Sequence, residues 1–217
     1  MGLTLQALKI LKPYLKGKIL SLGYQDILAT REEIEKLFGI RVEKTTSHGP
    51  RHSVSHGLPE TEEFFSRLGC EHTCVDIVKA RGTEVICDLN LPPVSPALSP
   101  YQYDLVIDGG TLEHCFNVGQ AFLTVANTVK VGGRILHGNP ITMINHGFYN
   151  FSPTLYHDLY TQNGWEIEEM VVSTKDGHTV KVPQTERCRV GQELTILVLA
   201  RRQKENTWKF PTQTKYL

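Results

Sequence analysis

The chain has 217 residues, 40% of them hydrophobic and 21% charged, a composition that supports a packed core and speaks against disorder. Lys+Arg and Asp+Glu each number 23, giving zero formal net charge. With no block of like charges, the sequence carries no electrostatic footprint for nucleic acid. The five cysteines, Cys70, Cys74, Cys87, Cys115 and Cys188, include no CxxC pair and read as reduced thiols. There is no run of about 18 apolar residues and no signal-peptide core. Gln6 stands where a myristoylation signal requires Ser or Thr. A cytoplasmic address without membrane or nucleic-acid partners is the expectation.

In chain order, Leu5, Leu8, Leu11 and Leu15 recur at helical spacing and predict a leading amphipathic helix that ends near Pro13. Lys18 to Leu22 is a short apolar strand stopped by Gly23. Thr30-Arg31-Glu32-Glu33 is a capping box, followed by a helix with Ile34, Leu37 and Phe38 inward and Gly39 as its stop. Residues 45–59 are polar and aperiodic, a loop or lid inserted in the domain. A helix over 61–68 is stopped by Gly69. Strands are expected at 74–78 and 84–88, and Tyr103 to Asp108 is the clearest buried strand.

Asn117 caps the next helix, with Gln120 at the reciprocal position and Val118, Ala121, Phe122, Val125, Ala126 and Val129 as its apolar stripe. Gly132-Gly133 is read as its terminator, before a strand at 134–137. Ser152-Pro153 opens a last helix that stops at Asn163-Gly164. Two late strands, 165–173 and 193–201, are expected to pair as a hairpin-like edge, and the polar tail 205–217 is expected to fray. Strands alternating with helices imply one domain over 1–204, with a mainly parallel sheet covered on both faces.

In such a sheet, ligands bind at the carboxyl ends of the strands. Gly23, Asp76, Asp88, Asp108-Gly109 and His137 to Pro140 all fall there. Each alone is ordinary turn chemistry, but five in register point to a site. The stretch from Tyr103 through Glu113-His114, the following helix and Lys130-Val131-Gly132-Gly133 resembles the later half of a class I S-adenosylmethionine-dependent methyltransferase. Asn145 to Pro153 is similar to a bacterial subgroup linked to small-molecule or glycan modification. The resemblance implies an α/β, Rossmann-like, mainly parallel seven-stranded sheet with an antiparallel late edge strand. It also implies S-adenosylmethionine as cofactor and methyl transfer to an oxygen or nitrogen of a small-molecule acceptor.

Position by position, the resemblance gives Gly23 a close backbone approach to the methionine portion. Asp76 takes the ribose hydroxyls, since a carboxylate accepts two donors at once. Asp88 and Leu89 border adenine, and Asp108 with Gly109 lies beside the transferable methyl. His114 and His146 are candidate bases, because a neutral imidazole near pKa ~6.5 takes an acceptor's proton. For His114 the competing role is a loop-shaping hydrogen bond. Glu113 and Tyr149 are candidate substrate contacts, with packing the competing role for Tyr149. His48, His52 and His56 repeat every fourth position, but Gly49, Pro50 and Gly57 break any helix there, so no metal site is expected.

The first loop departs from the family's E/D-x-G-x-G-x-G. Ser21-Leu22-Gly23-Tyr24-Gln25-Asp26 keeps one glycine and no preceding acid. Two readings stay open: a subgroup variant in which Gln25-Asp26 supply polar contacts, or a non-catalytic binding or scaffolding protein. A nicotinamide-dependent Rossmann enzyme ranks last, because GxGxxG is absent.

Overall fold

The computed structural model describes residues 2–46, 57–174, 179–181 and 194–217. His48, His52, His56 and Cys188 lie outside the described residues. The chain begins with β1 (Gly2–Thr4), α1 (Leu5–Leu11), β2 (Lys18–Leu22), β3 (Asp26–Leu28), α2 (Arg31–Phe38), β4 (Thr45–Thr46) and β5 (Leu58–Pro59). It continues through α3 (Thr61–Arg67), β6 (Glu71–Asp76), β7 (Val85–Ile86), β8 (Tyr103–Asp108), α4 (Val118–Thr128) and β9 (Val129–Pro140). It closes with α5 (Pro153–Gln162), β10 (Trp165–Thr174), β11 (Thr179–Lys181) and β12 (Leu194–Arg202).

Eight strands form the main sheet in the order β11-β10-β12-β9-β8-β2-β6-β7. β7, β6, β2, β8 and β9 are mutually parallel, and β12 runs against both β9 and β10. The expected antiparallel pairing of the two late strands is present. The reversed strand is not at the edge, however: β12 lies inside, between β9 and β10, and the short β11 extends the sheet beyond β10. Seven backbone pairings with β9 on one side and a long ladder with β10 on the other hold β12 there.

Two cores sandwich the sheet, and strand alternation separates them. Leu20, Leu22, Val106, Ile135, Ile196 and Val198 face α4 and α5, packing with Phe122, Tyr156 and Tyr160. Ile19, Leu105, Ile107, Leu136, Leu197 and Leu199 face the other way, against Leu8 and Leu11 of α1, Ile34 of α2 and Phe64 and Phe65 of α3. Arg202 is buried at 1% exposure; its guanidinium donates to the Ala126 and Val129 carbonyls and stacks on Tyr101, locking the α4–β9 junction.

Local signals account for most helix ends. Thr30 and Glu33 make both bonds of the capping box, and Gly39 closes α2 at φ 72°. Such a cap contributes about 1 kcal/mol. Asn117 accepts from the Gln120 N–H, but the Gln120 side chain turns to Thr124 Oγ1, so the reciprocal bond is not made. Gly132-Gly133 does not end α4. The helix stops at Thr128, and the two glycines lie within β9, where the register with β8 shifts. A Cβ on Gly133 would lie 2.9 Å from Val129 Cγ1 and 3.1 Å from the Asp104 carbonyl, so close strand approach requires the glycine.

The tail does not fray. Lys209 N donates to Asn163 Oδ1, Gln162 Nε2 donates to the Thr212 carbonyl, and Thr214 N donates to Asp158, which lays 206–214 along α5. No helix among the described residues is long and apolar enough to cross a membrane.

Candidate active site at the carboxyl edge of the sheet

β6 ends at Asp76, one residue after the buried Val75, and the chain leaves the sheet with Ile77 and Val78 exposed. The Asp76 carboxylate accepts from Val78 N at 3.2 Å, which holds it at the strand end. β7 is only two residues long, and beyond it Asp88 accepts from Asn90 N and Nδ2 at 2.9 and 2.8 Å. Asn90 is tied in turn to Asn117 at the start of α4. These turns enclose a cavity of about 140 Å³ lined by Val75, Asp76, Ile77, Cys87, Asp88, Leu89, Asn90, Thr111, His114 and Cys115. A half-buried carboxylate, Asp76, and an exposed one, Asp88, thus share the lining with apolar residues. The Cys115 thiol is pushed up to about 12 by burial and by Asp108, so it is no nucleophile near neutral pH.

Asp108 and Gly109 are not on this wall. Strand parity turns Asp108 inward, on the same side as Val106, where it is fully buried. It accepts from His137 Nδ1 or shares a proton with it at 2.8 Å, and it also accepts from Asn139 Nδ2 and from the N–H groups of Thr111 and Leu112. Every lone-pair direction is taken, so Asp108 shapes the β8 turn rather than facing a ligand. Gly109 lines a second cavity, of about 220 Å³, with Gly2, Thr4, Leu136, Gly138 and Met143 among its walls.

Gly23 leaves β2 at φ 71°, and its N–H donates to the Val75 carbonyl at 2.7 Å. No glycine-rich turn follows. Gln25 folds its side chain back into the space before Gly109 and donates to the Leu22 carbonyl. A Cβ on Gly109 would stand 2.0 Å from Gln25 Oε1. Gln25 is fully buried, and that Oε1 has no hydrogen-bond partner.

The second assembly is Glu113, His114 and His146. The loop from Ile141 to Phe151 folds over the turn after β8, with Phe148 N and Tyr149 N both donating to the Glu113 carbonyl, at 2.8 and 3.2 Å. Tyr149 donates its hydroxyl to the Phe116 carbonyl at 2.8 Å, so its polar end anchors the loop and does not face a substrate. Asn145 adopts φ 60°, and a Cβ on Gly147 would lie 2.8 Å from the Glu113 carbonyl oxygen. This close approach brings His146 Nε2 to 3.3 Å from Glu113 Oε1, with His114 Nε2 at 3.9 Å and the two rings 5.2 Å apart.

Glu113 is fully buried. Oε2 accepts from Asn139 Nδ2 at 2.9 Å, whereas Oε1 has no hydrogen-bond partner. Burial, then the neighbouring Asp108 charge, raises its pKa to about 7. Burial and His146 lower that of His114. Beneath them, Tyr156 donates to Asn139 Oδ1 at 2.6 Å, and the Tyr160 hydroxyl meets His137 Nε2 at 2.5 Å. Sequence reasoning placed His137 and Asn139 at the strand end without giving them a role, and missed Ile77, Asn90, Thr111, Tyr156 and Tyr160 as site residues. The parity of Ile135, His137 and Asn139 and the i,i+4 spacing of Tyr156 and Tyr160 are the signals that point to the buried network.

No protein-family model matches the sequence, and no curated protein matches it. Solved structures do match by fold. One is the 1,6-didemethyltoxoflavin-N1-methyltransferase of Burkholderia thailandensis with bound 1,6-didemethyltoxoflavin and S-adenosylhomocysteine. Its TM-score is 0.51 at 15% identity, covering 91% of this chain and 78% of that one. Another is an S-adenosylmethionine-dependent methyltransferase of Archaeoglobus fulgidus, with TM-score 0.50 at 14% identity, covering 91% of this chain and 92% of that one. The fold is therefore that of the class I S-adenosylmethionine-dependent methyltransferases.

Proposed function

We propose that the chain binds S-adenosylmethionine with its adenosine portion in the Asp76–Asp88 cavity and transfers the methyl to an oxygen or nitrogen of a small-molecule acceptor. A sugar or glycan precursor is one candidate. The observation that carries this reading is that His114 belongs to both assemblies: it lines the cavity and stands beside the unpartnered Glu113 oxygen.

The residues fit the adenosine half of the cofactor. Asp76 accepts the two ribose hydroxyls, and Ile77 and Leu89 supply apolar cover for adenine, with Asp88 at its edge. At the methionine end Gly23 and Gly109 flank the buried Gln25, whose unpartnered Oε1 suits an ammonium donor. When bound, the cofactor supplies an electrophilic methyl: the acceptor's lone pair forms the new bond to carbon, and the carbon–sulfur pair returns to sulfur, leaving a neutral thioether. The chain's own part is alignment plus proton removal. His146 Nε2, on the half-exposed side of the cluster, takes the acceptor's proton with the buried Glu113 Oε1 3.3 Å behind it, and Asn139 and Tyr156 hold that carboxylate in place. His114 spans donor and acceptor sides.

A second reading, a non-catalytic binding protein, is favoured by Gln25 filling the space that a glycine-rich turn would leave open. The two are separated by incubating the protein with methyl-labelled S-adenosylmethionine and a panel of small hydroxy and amino acceptors. Label in a product, lost in His146→Ala, supports catalysis. Tight cofactor binding with no transfer across sugars, phenols and amines supports the second reading.

A further inference from the structure

Glu113, His114 and His146 are an odd set for a simple ion pair. A fully buried carboxylate keeps one oxygen without a hydrogen bond, and that oxygen points at two imidazole nitrogens, 3.3 and 3.9 Å away. One ligand atom from each residue lies within 4.8 Å of the others. A second buried carboxylate, Asp108, sits alongside, sharing the Asn139 amide with Glu113. Among the described residues no lysine or arginine forms a salt bridge with either of them. Asp108 is already paired with His137, but the bare Glu113 Oε1 is a buried carboxylate oxygen that calls for a cation.

We infer that Glu113, His114 and His146 form a binding site for a divalent transition-metal ion, with an open coordination side that takes the acceptor's oxygen. Two imidazoles and one carboxylate, with a free side, are the donor set that favours Zn²⁺, Fe²⁺ or Mn²⁺ over Mg²⁺ and Ca²⁺, which prefer all-oxygen ligation. Metal–ligand bonds of about 2.1 Å place neighbouring donors roughly 3–3.5 Å apart. The Glu113–His146 distance is already in that range, and His114 reaches it by a small side-chain turn.

Support from the surroundings is of the kind that ligands need. Asn139 fixes Glu113 Oε2 and is itself fixed by Tyr156, which aims Oε1 at the histidines. Both histidine side chains are about two-fifths exposed, 44% for His114 and 42% for His146, so the open side faces the acceptor's approach.

The inference deepens the methyl-transfer reading and rests on it only for the acceptor's role. With an ion in place, the acceptor hydroxyl would be acidified by coordination, and its proton would leave to solvent rather than to His146.

The test uses the full chain stripped with EDTA and then dialysed against Zn²⁺, with Mg²⁺ and Ca²⁺ as competitors. Four proteins are compared: the parent, Glu113→Gln, His146→Ala, and a triple variant with His48, His52 and His56 changed to Ala. Circular dichroism of each variant confirms folding. The expected result is one Zn²⁺ per parent chain, undisturbed by about a 1,000-fold excess of Mg²⁺ or Ca²⁺. Affinity falls at least about tenfold in Glu113→Gln and in His146→Ala, and is unchanged in the triple variant.

No saturable Zn²⁺ uptake by the parent overturns the inference. So does uptake that survives in folded Glu113→Gln and His146→Ala but is lost in the triple variant. S-adenosylhomocysteine binding, measured on the same EDTA-stripped protein, separates the two proposals. Binding without Zn²⁺ uptake ends the metal site and leaves His146, backed by Glu113, as proton acceptor. Zn²⁺ uptake without binding ends the methyl-transfer reading and leaves the metal site standing.

Discussion

The two halves of the carboxyl edge solve opposite problems. Around Gly23–Gln25 the chain fills its own space: the Gln25 side chain lies against Gly109 and bonds back to the strand it follows. Around Glu113–His146 the chain leaves a gap, with a buried carboxylate oxygen and two half-exposed imidazoles converging on one point. The Asp76–Asp88 cavity lies between these extremes, lined by two carboxylates together with apolar residues. The difference is that the cavity and the partly exposed polar side chains lie after β6, β7, β8 and β9. The turn after β2 is filled by the Gln25 side chain instead.

The largest test of that contrast is Asp76→Ala. Losing two hydrogen bonds to a charged acceptor costs roughly 2–3 kcal/mol, on the order of 100-fold in S-adenosylhomocysteine affinity by calorimetry. An unchanged affinity would move the ribose elsewhere. Next is Gly147→Val, whose Cβ would run into the Glu113 carbonyl at 2.8 Å. It is expected to lower stability by roughly 2 kcal/mol in urea unfolding and to displace His146. A wild-type midpoint would show that the loop does not need this approach.

Glu113→Gln sharpens the comparison through pH. The parent's Glu113 pKa rises from 4.5 to about 7 on folding, so the folded state binds the extra proton between those values and stability falls as pH rises through that window. Glutamine has no charge to bury. In metal-free protein the variant should therefore match the parent near pH 4 and exceed it at pH 8. The gain is expected to be roughly 3 kcal/mol, or about 6–12 °C in Tm. A gap of equal size at both pH values would contradict the buried-carboxylate account.

The smallest effect is expected at the filled turn. Gln25→Leu should weaken S-adenosylhomocysteine by about tenfold, the lower end for one hydrogen bond to a charged group, and leave adenosine affinity unaltered. Equal weakening of both would place Gln25 beside the nucleoside instead.

Much of the fold was legible because its determinants are local. The capping box at Thr30, the apolar stripe of α4 and the buried run of β8 each lie within a dozen residues. Gly132-Gly133 was misread for the opposite reason: its glycines answer to β8, a neighbour brought in by sheet register. The interior place of β12 likewise depends on pairings with β9 and β10 that no single segment encodes. In the site, Glu113, His114 and His146 were recognisable as candidates by type and position. Their convergence was not, because it depends on Phe148 and Tyr149 bonding across to the Glu113 backbone. Asp108 was assigned toward the ligand by analogy, whereas strand alternation with Val106 turns it to the core.

The most direct measurement of the central claim is calorimetric titration of S-adenosylmethionine and S-adenosylhomocysteine into the purified chain, with NAD as control. The account predicts saturable binding of both at one site per chain, in the micromolar range typical of such ligands, and none of NAD. Absence of binding to either would contradict it and leave a methyltransferase fold whose Gln25-filled turn has closed the cofactor site.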